Sequence, residues 1–168
     1  MKRNLKKKIY LIGFSFLCFL LAACQSDDDQ MKVIVFSDEL YEQKEMIESE
    51  FVLDSNTEVT FFPEVQERLL TELASHQSSL LIVEGALAQQ MVEYEALIPL
   101  EGFQSDLALN EYVKNDADQE EMKALNLNKS NVVELHDVEL TEDHLVGIPV
   151  YSPEQEKATE LVNILFSN

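Results

Sequence analysis

The sequence predicts an α/β domain, a three-layer sheet of mostly parallel strands with helices on both faces, and three observations carry that reading. Residues 80–83 (Leu-Leu-Ile-Val) form a short apolar run without polar alternation, as a strand covered on both faces requires. A helical period follows at once: over residues 86–96, Leu87, Met91 and Tyr94 share one stripe while Gln89, Gln90 and Glu93 lie off it. The same strand-then-helix order occurs three times in roughly seventy residues, which is the signature of parallel βα units.

Taken in order, residues 31–36 (MKVIVF) read as the first buried strand, closed by Ser37-Asp38. Asp38 suits an N-cap for a helix to about residue 53, with Leu40, Ile47 and Phe51 on one face. Asp54-Ser55-Asn56 is a turn cluster. Residues 57–62 (TEVTFF) are β-branched and aromatic, hence a second strand, which Pro63 stops. A helix from residue 64 to about 76 is expected to turn Val65, Leu69, Leu70 and Leu73 inward. The third strand and helix follow, and Pro99 within Leu97-Ile98-Pro99-Leu100 forbids further helix.

Beyond residue 103 the pattern is thinner. Residues 105–127 are polar and acidic, with short helices suggested around Leu107, Leu109, Tyr112 and Val113 and over residues 116–123. Residues 132–143 read as a strand or hairpin arm through Val133, Leu135, Val138 and Leu140. Residues 145–151 (LVGIPVY) form the last strand, with Pro149 favouring an edge or an end. Ser152-Pro153-Glu154 is a helix start, and Ala158, Leu161, Val162 and Leu165 make one stripe of the closing helix.

The N-terminus is a targeting segment. Lys2, Arg3, Lys6, Lys7 and Lys8 precede an apolar run over residues 9–20, too short for a comfortable span of a hydrocarbon core about 30 Å thick. Leu21-Ala22-Ala23-Cys24 resembles a bacterial lipobox, which implies cleavage before Cys24 and a diacylglyceryl group on its sulfur; an uncleaved N-terminal anchor is the alternative. Two acyl chains give a stable hold where one is marginal, at about 0.8 kcal/mol per buried methylene. The expected organisation is a lipoprotein signal peptide at residues 1–23, an acidic tether at 24–30 and a single α/β domain at 31–168.

Cleavage sharpens the charge balance. The mature chain keeps 7 of the 12 Lys and Arg against all 32 Asp and Glu, a formal charge of −25. Nucleic acid and anionic headgroups are thereby poor partners, while cations, basic surfaces and neutral solutes stay open. Cys18 leaves with the signal and Cys24 is acylated, so no thiol remains for a disulfide, a metal or a nucleophile.

The order of phrases resembles the extracellular solute-binding lipoproteins of bacterial ABC transporters. Residues 33–36, 67–76, 80–84 and Ala96-Leu97-Ile98-Pro99-Leu100 match the family's strand, helix, polar-tipped strand and alanine-leucine-x-proline-leucine exit. Gly147-Ile148-Pro149-Val150 is similar to the strand crossing toward the second lobe, and residues 152–168 to the final helix. The resemblance implies one lobe of a periplasmic-binding-protein-like fold on the outer face of the cell membrane. It departs where the second lobe belongs, because Val150 leads straight into the last helix. Glu95 also stands where glycine usually caps the helix, a left-handed position costing a side chain about 1 kcal/mol.

In such sheets ligands sit beyond the carboxyl ends of the strands. Those ends supply Ser37, Asp38, Glu84, Gly85 and Tyr151 as ligand-binding candidates: carboxylates to accept from sugar hydroxyls or an ammonium group, and a ring to stack. Asp38 and Ser152 also have a purely structural reading, as helix caps. His76, His136 and His144 lack the i, i+4 spacing of a helical zinc site; Glu134, His136, Asp137, Glu142, Asp143 and His144 cluster in sequence and read as a solvated loop, with a weak divalent-cation site as the alternative. Residues 115–120 lack the sixth-position glycine of a calcium loop. No nucleophile elbow or phosphate-binding glycine turn is present, so neither enzyme activity, a cofactor nor a metal is expected. Two functions stay open: solute binding by a lone lobe, and an acidic surface module that docks a membrane or surface protein without binding a solute.

Overall fold

The computed structural model describes residues 30–85, 87–88, 91, 96–103, 107, 122–136 and 138–166. The signal segment, Cys24 and most of the tether lie outside them, as do Tyr94, Glu95, Leu109, Tyr112, Val113 and residues 115–120.

The first strand, β1 (Met31–Phe36), is followed by two short helices, α1 (Asp38–Glu42) and α2 (Lys44–Ile47), and a 3-10 turn (Glu48–Phe51). Then come β2 (Thr57–Phe62), α3 (Gln66–Ser75) and β3 (Leu80–Glu84). After β3, Gly85, Leu87, Ala88 and Met91 are helical. The second half holds β4 (Leu125–Asn126), a 3-10 turn (Leu127–Lys129), α4 (Asn131–His136), β5 (His144–Gly147) and α5 (Gln155–Phe166).

These strands form one sheet in the order β2-β1-β3-β5-β4. β1 is parallel to both β2 and β3, whereas β5 is antiparallel to β3 and to β4. Strand alternation divides the core in two. Val33, Val35, Leu80, Ile82 and Val146 face Leu40, Ile47, Phe51 and the α5 stripe of Ala158, Leu161, Val162 and Leu165. Ile34, Phe36, Leu81, Val83 and Leu145 face Leu69 of α3 and Leu87, Ala88 and Met91. Helices therefore cover both faces, as the unbroken apolar run of β3 requires.

Several expectations are corrected. The helix after β1 is broken at Gln43 and ends in the 3-10 turn, although Leu40, Ile47 and Phe51 bury as their spacing dictates. Its N-cap is Ser37, whose Oγ accepts from the Leu40 N–H, and Asp38 is the first helical residue. Val65 and Leu70 are exposed; α3 presents only the narrower Leu69 and Leu73 face. Residues 131–136 are helical and not a strand arm, with Val132 buried against α5. β4 is a strand where only polar and helical sequence was read.

The exit phrase and the crossing phrase lie against each other. Ile98 N–H donates to Ile148 O at 2.9 Å, Val150 N–H to Ala96 O at 2.8 Å, and Leu97 bridges Pro149. Pro149 thus sits past the end of β5, where its missing N–H costs nothing. The crossing packs tightly on Gly147: a Cβ there would meet Leu97 Cδ1 at 2.7 Å, so the Leu97 side chain would have to shift. Among the described residues no helix is long and apolar enough to cross a membrane.

Gly147→Ala is expected to lower stability by about 1–3 kcal/mol through overpacking against Leu97. Adding Leu97→Ala should cost less in that background than in the wild type, and denaturant midpoints of the four proteins measure the coupling. Additive losses would show that the crossing is not packed as described.

Candidate functional site

Register builds the site. Glu84 at the end of β3 pairs directly with His144 at the start of β5, and Ser37 follows Phe36, the β1 partner of Val83. Ser37, Glu84 and His144 therefore form one row across three neighbouring strands, on the face they share with Val35, Ile82 and Val146. α1 lies over this row and brings Glu39 onto it. Ser37 and His144 are 0% exposed and Glu84 is 7% exposed, whereas Glu39 is half-buried.

The hydrogen bonds assign the imidazole tautomer. His144 Nδ1–H donates to the Glu142 carbonyl at 3.0 Å, which leaves Nε2 as a lone pair. The Ser37 hydroxyl donates to that Nε2 at 2.8 Å while accepting from Leu40 N–H at 3.0 Å. Glu84 Oε2 lies 3.7 Å from Nε2, too far for a hydrogen bond, and accepts the Asp38 N–H at 2.8 Å. Burial pushes the His144 pKa down despite the carboxylates of Glu84 and Glu39, so the ring is neutral near pH 7 and its approach to Glu84 is not an ion pair.

Neighbouring loops hold the row in place. Burial alone would raise the Glu39 carboxyl, but hydrogen bonds from the Thr141 hydroxyl and from the Thr141 and Glu142 backbones hold it below the usual range. Asn128 donates to Glu142 O and accepts from His144 N–H, and Asn126 donates to Asp143. Gly85, at φ 39°, donates its N–H to Asp143 O at 2.9 Å; a left-handed turn there lets the chain leave β3. Burial and the charges of Glu84 and Asp38 raise the pKa of nearby Glu64. Glu39, Glu84 and His144 offer ligand atoms all within 4.8 Å of one another, an arrangement that can take a cation.

Of the candidates read from the sequence, Ser37, Asp38, Glu84 and Gly85 converge at this end of the sheet. Asp38 directs its carboxylate to the Glu64 N–H. Tyr151 is elsewhere. Because β5 is antiparallel, its carboxyl end lies at the opposite end of the sheet, where Tyr151 stacks on His76 at 4.5 Å and shares a hydrogen bond with Ser78. There it lines an open groove of about 360 Å³ with Leu70, His76 and Val150. Ser152 Oγ is buried without a hydrogen-bond partner and caps nothing. His144 does not stand out in the sequence because it lies in a charged stretch that reads as a loop. Its signal was parity: His144 and Val146 alternate with Leu145 and Gly147, so a strand beginning at His144 turns its ring to the core face.

Stability should fall on acidification. The His144 pKa in the folded chain lies below its ordinary value of 6.5, so the unfolded chain takes the proton first. This contribution is complete above about pH 6.5 and is lost as the pH drops toward the folded value. Urea midpoints between pH 5 and 8 should show that slope, and His144→Gln should flatten it; a midpoint unchanged across the range contradicts the burial of a neutral ring.

No family model matches the chain. The solved structure described as the substrate binding domain of a molybdenum ABC transporter from Clostridium difficile aligns over 83% of this chain and 93% of that chain, at 12% identity and a TM-score of 0.44. YteS of Bacillus subtilis (strain 168), whose name describes it as a lipoprotein, is 30% identical over 148 residues, which are 86% of this chain and 87% of that protein. With that identity over 86% of this chain and 87% of that protein, this chain belongs to the family of YteS.

Proposed function

We propose that the chain is a lipid-anchored cell-surface protein whose single lobe binds a small polar solute at the carboxyl ends of β1 and β3. Residues 1–23 are removed as a signal peptide, Cys24 carries the lipid, residues 24–30 form the tether and residues 31–168 the domain. The name of YteS supports the anchor, together with the Leu21-Ala22-Ala23-Cys24 phrase.

The observation that carries the binding reading is the polar row Ser37, Glu84 and His144 buried where the parallel half of the sheet meets the antiparallel half. Beyond the carboxyl ends of the strands is where α/β sheets take ligands. The row also restricts the solute. The Asp38 N–H, which would meet an anion, is already taken by Glu84 at 2.8 Å, and Glu39, Glu64 and Glu84 crowd this end of the sheet. Anionic solutes are thus disfavoured, and a neutral polyol or an ammonium-bearing solute fits the carboxylates of Asp38 and Glu84. Binding and not catalysis is the role assigned.

A second reading draws on the far end of the sheet, where Leu70 and Val150 are 39% and 52% exposed beside Tyr151. There the protein is an acidic module that docks another surface protein. Crosslinking in intact cells separates the two: a stoichiometric partner lost in Val150→Asp favours docking.

Cells fed an alkyne-labelled fatty acid should label the wild-type chain and not Cys24→Ala; label retained in the variant would place the anchor elsewhere. Thermal shifts of the full-length protein in micelles, run against sugars, amino acids and oligopeptides, should reveal one class that raises the midpoint. A ligand at 100 times its Kd contributes about 2.7 kcal/mol, enough for a clear shift. Silence from every class removes solute binding.

A further inference from the structure

We propose that Glu39, Glu84 and His144 form a binding site for a single first-row divalent cation of the zinc type. The site needs no solute and stands on its own geometry. His144 is prepared as a ligand: Nδ1–H is committed to the Glu142 carbonyl, so the Nε2 lone pair points into the row. Donation of the second ring nitrogen to a backbone carbonyl is how metal-bound imidazoles are commonly oriented.

The separation of Nε2 from Glu84 Oε2 supports the same conclusion. At 3.7 Å they are too far apart to share a proton. Yet two ligand atoms bound to one zinc ion at about 2.0–2.1 Å stand roughly 3.4 Å apart in a tetrahedral site. The gap between them is thus within a few tenths of an ångström of a ligand–ligand edge. Glu39 completes a triad whose ligand atoms all lie within 4.8 Å of one another, and its carboxylate is presented by Thr141 on the half-exposed side.

Charge adds to the case. His144 faces Glu84, Glu39 and Asp143, and Glu64 faces Glu84, Asp38 and Glu142. A divalent cation would relieve this concentration of carboxylates, and Glu84 is nine-tenths buried within it. One imidazole with two carboxylates suits zinc or manganese better than calcium or magnesium, which favour all-oxygen sets. The Ser37 hydroxyl gives up its bond to Nε2 when the metal arrives, and water fills the remaining position.

The test uses the full-length protein in micelles, freed of metal with EDTA and dialysed, with ZnCl2 as the probe and no solute present. Titration calorimetry should show one saturable zinc per chain, and the ring nitrogens of His144 should shift in histidine nitrogen-15 spectra. Glu39→Gln, on the accessible side of the site, should weaken zinc by about 10-fold or more, whereas Glu48→Gln on the exposed surface should leave it unchanged. Zinc that binds equally well to Glu39→Gln, or that leaves the His144 nitrogens unmoved, is held by the acidic surface and overturns the proposal. The nitrogen shift in the unmutated chain decides the matter even if a variant fails to fold. Since no solute enters the experiment, a negative result bears on the metal site alone.

Discussion

β3 has a parallel neighbour on one side and an antiparallel neighbour on the other, and the chemistry of this protein follows from that mixed pairing. Were β5 parallel, its amino end and His144 would lie at the far end of the sheet, and Tyr151 would sit beside Glu84. With the antiparallel register, Glu84 instead faces His144 across one rung of the ladder, and β1 adds Ser37 to the same row. The polar groups cluster because strand order and direction leave them no other place. Burying them is tolerable because Ser37, Glu84 and His144 each have a named hydrogen-bond partner.

The row is also largely self-satisfied. Glu84 occupies the backbone amide at the start of α1, and Ser37 both caps that helix and donates to His144. Any molecule entering here exchanges internal bonds for external ones, so selectivity is set by what cannot be exchanged, namely the excess of carboxylates. That excess agrees in sign with the whole chain, which carries a formal −20.

Much of the fold was legible in the sequence. β1 and β2 begin and end where the apolar and β-branched runs do, and β3 adds only Glu84 to the run of residues 80–83. The α5 stripe buries as its period demands. What was not legible had physical reasons. Two residues of β4 are too few to display a period. Val132 and Val133 carry β-branched side chains that suit a strand, but packing against α5 favours helix there. Strand direction has no local pattern at all, which is why Tyr151, a strand-end residue by sequence like Ser37, Asp38, Glu84 and Gly85, lies at the opposite end of the sheet from them.

The crossing of residues 96–98 over 148–150 has a mechanical meaning. A connection without such contacts would let the two segments move apart. Here it is clamped by two backbone hydrogen bonds and by Leu97 pressed onto a glycine that has no room to grow. The lobe therefore has no pivot at that point, and a molecule entering the strand-end row would meet the α1 cap and the 141–144 loop, which hold Ser37, Glu39 and His144.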